Sequence, residues 1–372
     1  MIDALSQVGA GSRTYLKNVL PRLENRDDGI QYFVLWPANR NLPPNLLESD
    51  QLKIIPIHIP QKPAVIRFLY QQLVIPFLAR DMDVLYAPVD IAPIFTPCPV
   101  LLAIRNPNPF NRLERSIYKK LYYSLKRLII KFSAYQSTHI IYVSEHSQAH
   151  INFMLDIHPD KTSVNYHGVD IDKFSVSDEN KLMKPGPIND FDSYLLCVST
   201  ITPHKNFETL LEAYGMLPEG LRDRYPLIIV GRIAARTYYQ QLTSIIDENQ
   251  ITTHVRFLGE QPYRDIERYY RGASLYILPS YLETFGHTLV EAMAAGVPVI
   301  ASQVSALPEI VGKGGVFFDP DDPGELSGRM ESILINKTLA DDLISRGKCR
   351  AKDFSWDRNT EKLITLLREI AP

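Results

Sequence analysis

The sequence is poor in cysteine, has no long apolar run and leans to neither sign of charge, and each absence narrows its class. Three cysteines, Cys98, Cys197 and Cys349, are scattered over 372 residues. With neither a CxxC pair nor an even framework among them, nothing points to a disulfide scaffold or a zinc site, and a reducing cytoplasm is the simplest home. No stretch reaches the roughly 18 uninterrupted apolar residues of a membrane span. Met1-Ile2-Asp3-Ala4 lacks the basic and apolar regions of a signal peptide. The expectation is a cytoplasmic protein, neither exported nor membrane-spanning. Lys+Arg number 40 against 42 Asp+Glu. Residues 1–175 hold 19 of these bases and 15 of these acids, leaving 21 and 27 for the remainder, so the halves stand at +4 and -6. That split is too mild for a nucleic-acid partner, although a basic half favours an anionic acceptor or membrane surface.

What is present is the composition of a soluble globular chain, 45% apolar and 22% charged, long enough for about two domains at roughly 150 residues each. Short apolar runs alternate with longer segments of helical period, the pattern of parallel sheets with crossover helices. In the first half, strands are expected near 32–36, 54–57, 84–87, 100–104 and 140–143, with helices near 12–23, 64–79 and 113–132. The pattern restarts with strands near 194–198, 227–230, 255–258, 275–278 and 297–301. The fold class is therefore α/β, with two doubly wound Rossmann-like domains. Their expected bounds are 1–175 and 193–354, separated by a linker at 176–192 that is polar and carries two prolines and a glycine. A last helix, 355–372, is expected to pack back toward the N-terminal domain.

The strongest chemical signal runs from Glu283 to Met293. A strand ends at Ser280, a glycine-bearing turn follows, and an apolar helix begins, so free backbone N–H groups are offered to a phosphate or a sugar hydroxyl. Glu283 precedes the helix and Glu291 lies inside it, placed to accept hydrogen bonds from one long polyhydroxylated ligand. An equally simple reading makes Glu283 a charge favouring the helix dipole and Glu291 a solvated helix residue. The small residues Ala292, Ala294, Ala295 and Gly296 imply close helix–sheet approach, in which case a buried Glu291 needs a partner.

The segment ETFGHTLVEAMAAGVPVIAS, 283–302, resembles the E-x7-E signature of the retaining family-4 glycosyltransferases, the glycosyl transferases group 1. The resemblance extends through VRFLGEQPYRDIERYYRGASLYILPS, YLLCVSTITPHKNFETLLEAY and NYHGVDIDKF, four segments in order. It implies a GT-B fold, two Rossmann-like domains facing a central cleft. The second domain would bind a nucleotide diphosphate sugar, a co-substrate rather than a resident cofactor, and the first a glycan or lipid-linked acceptor. By the same resemblance Glu291 binds the donor ribose and Glu283 lies beside the transferred sugar. Phe285, Gly286, His287 and Thr288 touch sugar and phosphates, and Lys205 neutralises the pyrophosphate. A fixed cation there makes physical sense, because a departing nucleoside diphosphate gathers charge on its phosphate oxygens and needs no metal if a lysine meets it. Ser199-Thr200 stand where the family often has Gly-Arg, which leaves Arg232, after Gly231, as the substitute cation.

In the first domain, the glycine turn Val8-Gly9-Ala10-Gly11-Ser12 resembles the family loop that nears the donor phosphate and the acceptor; it is not a dinucleotide fingerprint, since position 14 is threonine. Many members carry a His-Asp pair after a strand where this chain has Arg105-Asn106. An arginine can hydrogen-bond a sugar or steady a phosphate, but it is no base at neutral pH. Retention in this fold asks for leaving-group stabilisation more than an enzymic nucleophile.

Two signals lie outside this motif set. Asp81-Met82-Asp83 spells the D-x-D of metal-dependent glycosyltransferases, yet it precedes a strand and reads more simply as a helix end; no metal ligand is assigned. The segment 112–131 interleaves seven bases with tyrosines and leucines against Glu114 alone. It is either a core-packing helix with a basic outer face or a peripheral contact with anionic lipid at the inner membrane face. The expected function is hexosyl transfer with retention in surface polysaccharide or glycoconjugate synthesis. The alternatives are a non-catalytic nucleotide-sugar-binding partner and a GT-B-fold nucleotide-sugar epimerase.

Overall fold

The computed structural model describes residues 1–5, 10–24, 26, 29–43, 46, 48–60, 63–110, 117–175, 188 and 191–372. The chain divides into two compact units. Unit 1 comprises residues 1–168 with 356–372, and unit 2 comprises residues 169–355. The division falls at Gly168 rather than at the expected 175, because the segment after it packs into unit 2. Phe174 is fully buried with its ring 5.7 Å from Tyr270, and Arg271 donates to the carbonyls of Lys173 and Phe174. Of the expected linker, only residues 188, 191 and 192 are described, and Ile188 is buried.

Unit 1 is built on seven strands: β1 Ile2–Asp3, β2 Tyr32–Pro37, β3 Leu52–Ile57, β4 Leu85–Ala87, β5 Val100–Ile104, β6 His139–Tyr142 and β7 Thr162–Val164. They lie parallel in the order β3-β2-β1-β4-β5-β6-β7. Its first helices are α1 Ala10–Glu24, α2 Ala64–Leu73, α3 Ile75–Leu78, α4 Ile117–Gln136 and α5 Glu145–Leu155. Central strands buried on both faces need apolar side chains on both, which is why β5 reads as an unbroken run with every residue buried. One face packs Tyr15, Leu16, Val19 and Leu20 of α1. The other packs Ile75 of α3, Ile130 and Ala134 of α4, and Ile151 and Leu155 of α5. The helix expected over 64–79 is two helices. Pro76 has no N–H to donate and its ring crowds the carbonyl one turn back, so the helix breaks at Val74.

Unit 2 has six strands: β8 Leu195–Val198, β9 Leu227–Val230, β10 Val255–Gly259, β11 Leu275–Leu278, β12 Val299–Ser302 and β13 Val316–Phe318. They too are all parallel, in the order β10-β9-β8-β11-β12-β13. Its helices are α6 Ile171–Ser175, α7 Phe207–Gly215, α8 Glu219–Arg224, α9 Arg236–Glu248, α10 Ile266–Arg271, α11 His287–Ala295, α12 Leu307–Val311, α13 Pro323–Ile335 and α14 Lys337–Ala351. Glycine is required at 231, after β9: a Cβ there would sit 1.8 Å from the Ser199 carbonyl oxygen, so the ends of β8 and β9 close up only around a bare backbone.

The chain then returns to unit 1 as α15, Trp356–Ile370, whose residues Trp356, Leu363, Ile364, Leu366 and Leu367 join the α1 side of the core. Polar bonds fix its register. Asn165 Nδ2 donates to the Asn359 carbonyl at 2.9 Å, and Asn359 Nδ2 donates to the Tyr166 carbonyl at 2.7 Å. Leu363 is fully buried in that seam. Leu363→Ala is expected to cost unit 1 roughly 2–5 kcal/mol through lost burial and a residual cavity, read as an earlier denaturant midpoint for the transition that exposes Trp356, with unit 2 unaffected.

Candidate functional site

The order of strands in unit 2 reverses direction between β8 and β11, and in open parallel sheets ligands bind outside the carboxyl ends of strands at such a switch point. Both loops there carry an expected site residue. After β8 the chain makes a 3-10 turn, Pro203–Lys205, ended by Asn206 in the left-handed conformation at φ 55. Asparagine tolerates that conformation and its side chain holds it: Nδ2 donates to the Pro320 carbonyl at 2.8 Å, and Oδ1 accepts from the Thr209 hydroxyl at 3.0 Å. After β11, residues 279–286 reach α11 through Gly286, at φ 83. The Tyr281 N–H donates to the His204 carbonyl at 2.9 Å, which ties the two loops together.

This tie places Lys205 Nζ 2.6 Å from Glu283 Oε1, with both side chains 15% exposed. The Ser280 hydroxyl donates to the same oxygen at 3.0 Å. The Glu283 backbone is pinned as well. Its N–H donates to the Ser305 hydroxyl at 2.9 Å, and its carbonyl accepts from that hydroxyl in turn. Shielding at this level makes the ion pair stronger than an exposed one. A lysine ammonium has three protons, so Lys205 can hold Glu283 and still offer donors to a second anion. Glu283 is thus an ion-pair partner fixed ahead of α11, not a solvated helix-dipole charge.

Glu291 is buried, 5% exposed, and its partners are phenols. The Tyr263 hydroxyl donates to Oε1 at 3.0 Å and the Tyr270 hydroxyl to Oε2 at 2.9 Å. Lys173 Nζ lies 3.8 Å over the Tyr263 ring and 3.6 Å from Glu267. Burial pushes the Glu291 carboxyl up to about 7, against the opposing pull of the two phenols and Lys173. Phe285, buried, stacks tilted on His287 at 5.0 Å and edge-on to Phe354 at 5.3 Å. Thr288 hydrogen-bonds Tyr276 beneath the turn. Arg232 follows Gly231 with its side chain exposed, its carbonyl accepting from Ile201 N–H at 2.9 Å.

Unit 1 holds the remaining candidates. Gly9 lies outside the described residues. Gly11 belongs to the first turn of α1, which starts at Ala10, rather than to a loop before the helix as expected. Arg105 and Asn106 follow β5, and both backbone N–H groups donate to Asp90 Oδ1 at 3.0 Å. The Asn106 side chain accepts from the Asn108 N–H at 3.0 Å. The Arg105 guanidinium is drawn inward: it lies 3.4 Å over the Tyr15 ring and donates to the Tyr86 hydroxyl at 2.8 Å. Its neighbours Tyr86 and Tyr15 raise its pKa against the effect of burial, so it stays cationic. Asp81 and Asp83 are exposed ahead of β4, and among the described residues no group of three or more His, Cys, Asp and Glu is placed to hold a metal.

Four residues of this geometry carry no sequence signal of their own: Tyr263, Tyr270, Ser280 and Ser305. Each acts on a glutamate at least three residues away, and only the small residues around Glu291 hint that the acid is buried and needs partners.

Residues 178–350 match the family model of glycosyl transferases group 1. Over 174 residues the chain is 35% identical to O-antigen chain mannosyltransferase B of Escherichia coli, covering 47% of this chain and 45% of that protein. Over 218 residues it is 28% identical to D-inositol 3-phosphate glycosyltransferase of Thermobifida fusca, covering 57% and 50%. The chain thus spans about half the length of these relatives. Among solved structures, Anabaena HepE in complex with UDP and glucose superposes with a TM-score of 0.78 at 18% identity, over 99% of this chain and 98% of that one. The fold is GT-B. Within it, the group 1 match covers Lys205, Glu283, Glu291 and the residues bonded to the two glutamates, and leaves out Lys173, Phe174 and Phe354.

The titration of Glu291 gives a test of its burial. Its folded pKa, about 7, lies above the ordinary 4.5, so the folded state binds the proton more tightly. The neutral acid is therefore tolerated below pH 4.5, and stability is lost as pH rises toward 7. Glu291→Gln mimics the neutral form. It is expected to match the parent near pH 5 and to exceed it at pH 8 by on the order of 2 kcal/mol in the absence of nucleotide, measured by urea unfolding at both pH values.

Proposed function

We propose that this chain is a glycosyltransferase that moves a hexose-type residue, mannose being the first to test, from a nucleotide diphosphate sugar to a glycan or lipid-linked acceptor in surface polysaccharide or glycoconjugate synthesis. The observation that carries the reading is the Lys205–Glu283 pair at the switch point of a parallel sheet, with Glu291 on the adjoining helix. The group 1 match over the same residues and the likeness to an O-antigen mannosyltransferase support it.

The chemistry follows from these groups. Cleaving the bond between the anomeric carbon and the diphosphate oxygen leaves negative charge on the diphosphate. Lys205 is held close to where that charge grows, and it meets the charge without reorganising because Glu283 already fixes its position. Glu291 accepts hydrogen bonds from ribose hydroxyls, with Tyr263 and Tyr270 orienting the carboxylate. Glu283 faces the sugar beside the departing group and steadies positive charge developing on the ring. The acceptor hydroxyl then attacks the face the diphosphate leaves and passes its proton to the departing diphosphate oxygen, and the anomeric configuration is retained. Arg105, engaged by Tyr15 and Tyr86, acts in this scheme on the shape of unit 1 rather than as a base.

Four results test this. Titration with UDP, GDP and dTDP sugars is expected to show selective binding of one nucleotide class, and binding of none refutes the reading. Lys205→Ala is expected to lower kcat by about 10²–10³ with a smaller change in donor Kd, since the lost interaction grows in the transition state. Transfer is expected to persist in EDTA; loss of activity restored by a divalent cation would show that a metal carries the charge instead. Product that appears without acceptor and keeps its nucleotide would identify an epimerase.

A further inference from the structure

We propose that unit 1 docks on an anionic lipid bilayer through one continuous face made by α2, α3, the loop carrying Phe95, and α4. The notion of a lipid-linked acceptor rests on the function proposed above; the docking face itself does not.

The apolar residues of these helices do not follow the rule of facing the sheet. On α2 and α3, Val65, Ile66, Leu69, Leu73 and Phe77 recur every three or four residues and are all exposed, Leu73 at 71% and Phe77 at 60%. On α4, Ile117, Leu121, Leu125, Leu128 and Phe132 form a second stripe of the same kind, with Leu121 at 72%. Only Ile130, Ser133 and Ala134 of that helix are buried, and residues 117–122 at its start are all exposed. The reading of α4 as an ordinary core helix therefore fails for its N-terminal part, while residues 112–116 lie outside the described residues.

The two stripes belong to one surface. Both helices pack on the same side of the sheet, in the core that holds Ile75 and Ile130. Both also bond the same carbonyl, that of Ala92: Ser133 Oγ donates to it at 2.9 Å and Gln72 Nε2 at 3.3 Å. The loop between them projects Phe95, 79% exposed, and Leu73, Phe77, Arg80 and Phe95 line one hollow of about 360 Å³.

Charge selects the occupant. The three helices carry Arg67, Lys119, Lys120, Lys126, Arg127 and Lys131, and no Asp or Glu. Lys126 lies 3.4 Å from Asp90, so the helices themselves carry charge of one sign only. A second copy of this chain would set like charges against each other across the contact. A bilayer with anionic headgroups receives the lysines at the surface and the leucines and aromatics just beneath it, which is how in-plane amphipathic helices bind.

The full chain is to be sedimented with vesicles of phosphatidylcholine alone and with vesicles in which phosphatidylglycerol makes up about one third of the lipid. Binding is expected only to the second kind, weakening as salt rises. Leu73→Glu and Leu125→Glu, separately, are expected to weaken it about tenfold or more each, because each replaces an inserted apolar group by an acid of the wrong sign. Both sites are exposed, so unfolding midpoints and nucleotide binding should stay at parent values. Absence of sedimentation with anionic vesicles overturns the proposal. So does equal binding by both variants, or a dimer in solution that either variant dissociates. Loss of nucleotide binding by the parent chain would instead count against the proposed function and leave the vesicle result standing.

Discussion

The parallel pairing of β8 with β11, in the register Leu275 to Leu195 and Tyr276 to Leu196, is the constraint on which the rest of unit 2 turns. These strands are adjacent in space and about eighty residues apart in sequence, and their crossovers leave in opposite directions. No crossover helix runs between them where the directions diverge, so the loops after the two strands lie side by side. That alone would give a crevice of unspecified chemistry. The backbone bond from Tyr281 to His204 converts it into a defined one, because it sets the Lys205 turn against the Glu283 turn. The ion pair is then a result of register, not of two long side chains finding each other.

A second layer supports the first. Ser305 grips Glu283 from the loop after β12, and Asn206 holds the lysine turn from the Pro320 side. The two glutamates are treated differently. Glu283 meets a cation and a hydroxyl, whereas Glu291 is buried behind two phenols that cannot neutralise it. A carboxyl so placed is costly as an anion until a ligand with hydroxyls of its own joins the phenols. The same physics accounts for Arg105. A guanidinium turned onto an aromatic face keeps its charge inside unit 1.

The fold was legible where the physics is local. Strands buried on both faces must be apolar throughout, so β5, β8, β9 and β11 stand out as runs such as VLLAI and LIIV. The edge strands β7 and β13 do not, because three residues with a half-exposed face differ little from loop. The helix break at Pro76 was available in the residue itself and was overridden by apolar spacing that runs on through it. In the site, Glu283, Glu291 and Lys205 were visible through motif resemblance. Tyr263 and Tyr270 were not, because they reach Glu291 from 28 and 21 residues away, along a path that only the sheet order determines. Arg105 is marked in the sequence only by its place after β5, and its inward turn depends on Tyr15 and Tyr86, residues with no motif to mark them.

The route of the chain at α15 has a consequence for biosynthesis. Unit 1 brackets unit 2 in the sequence, so α15 is made only after all of unit 2. While the ribosome is still making residues 169–355, the apolar flank of α1 waits without its partner. For that interval the nascent first unit is an incomplete core, and its quality control falls to whatever shields that flank until the last turns emerge.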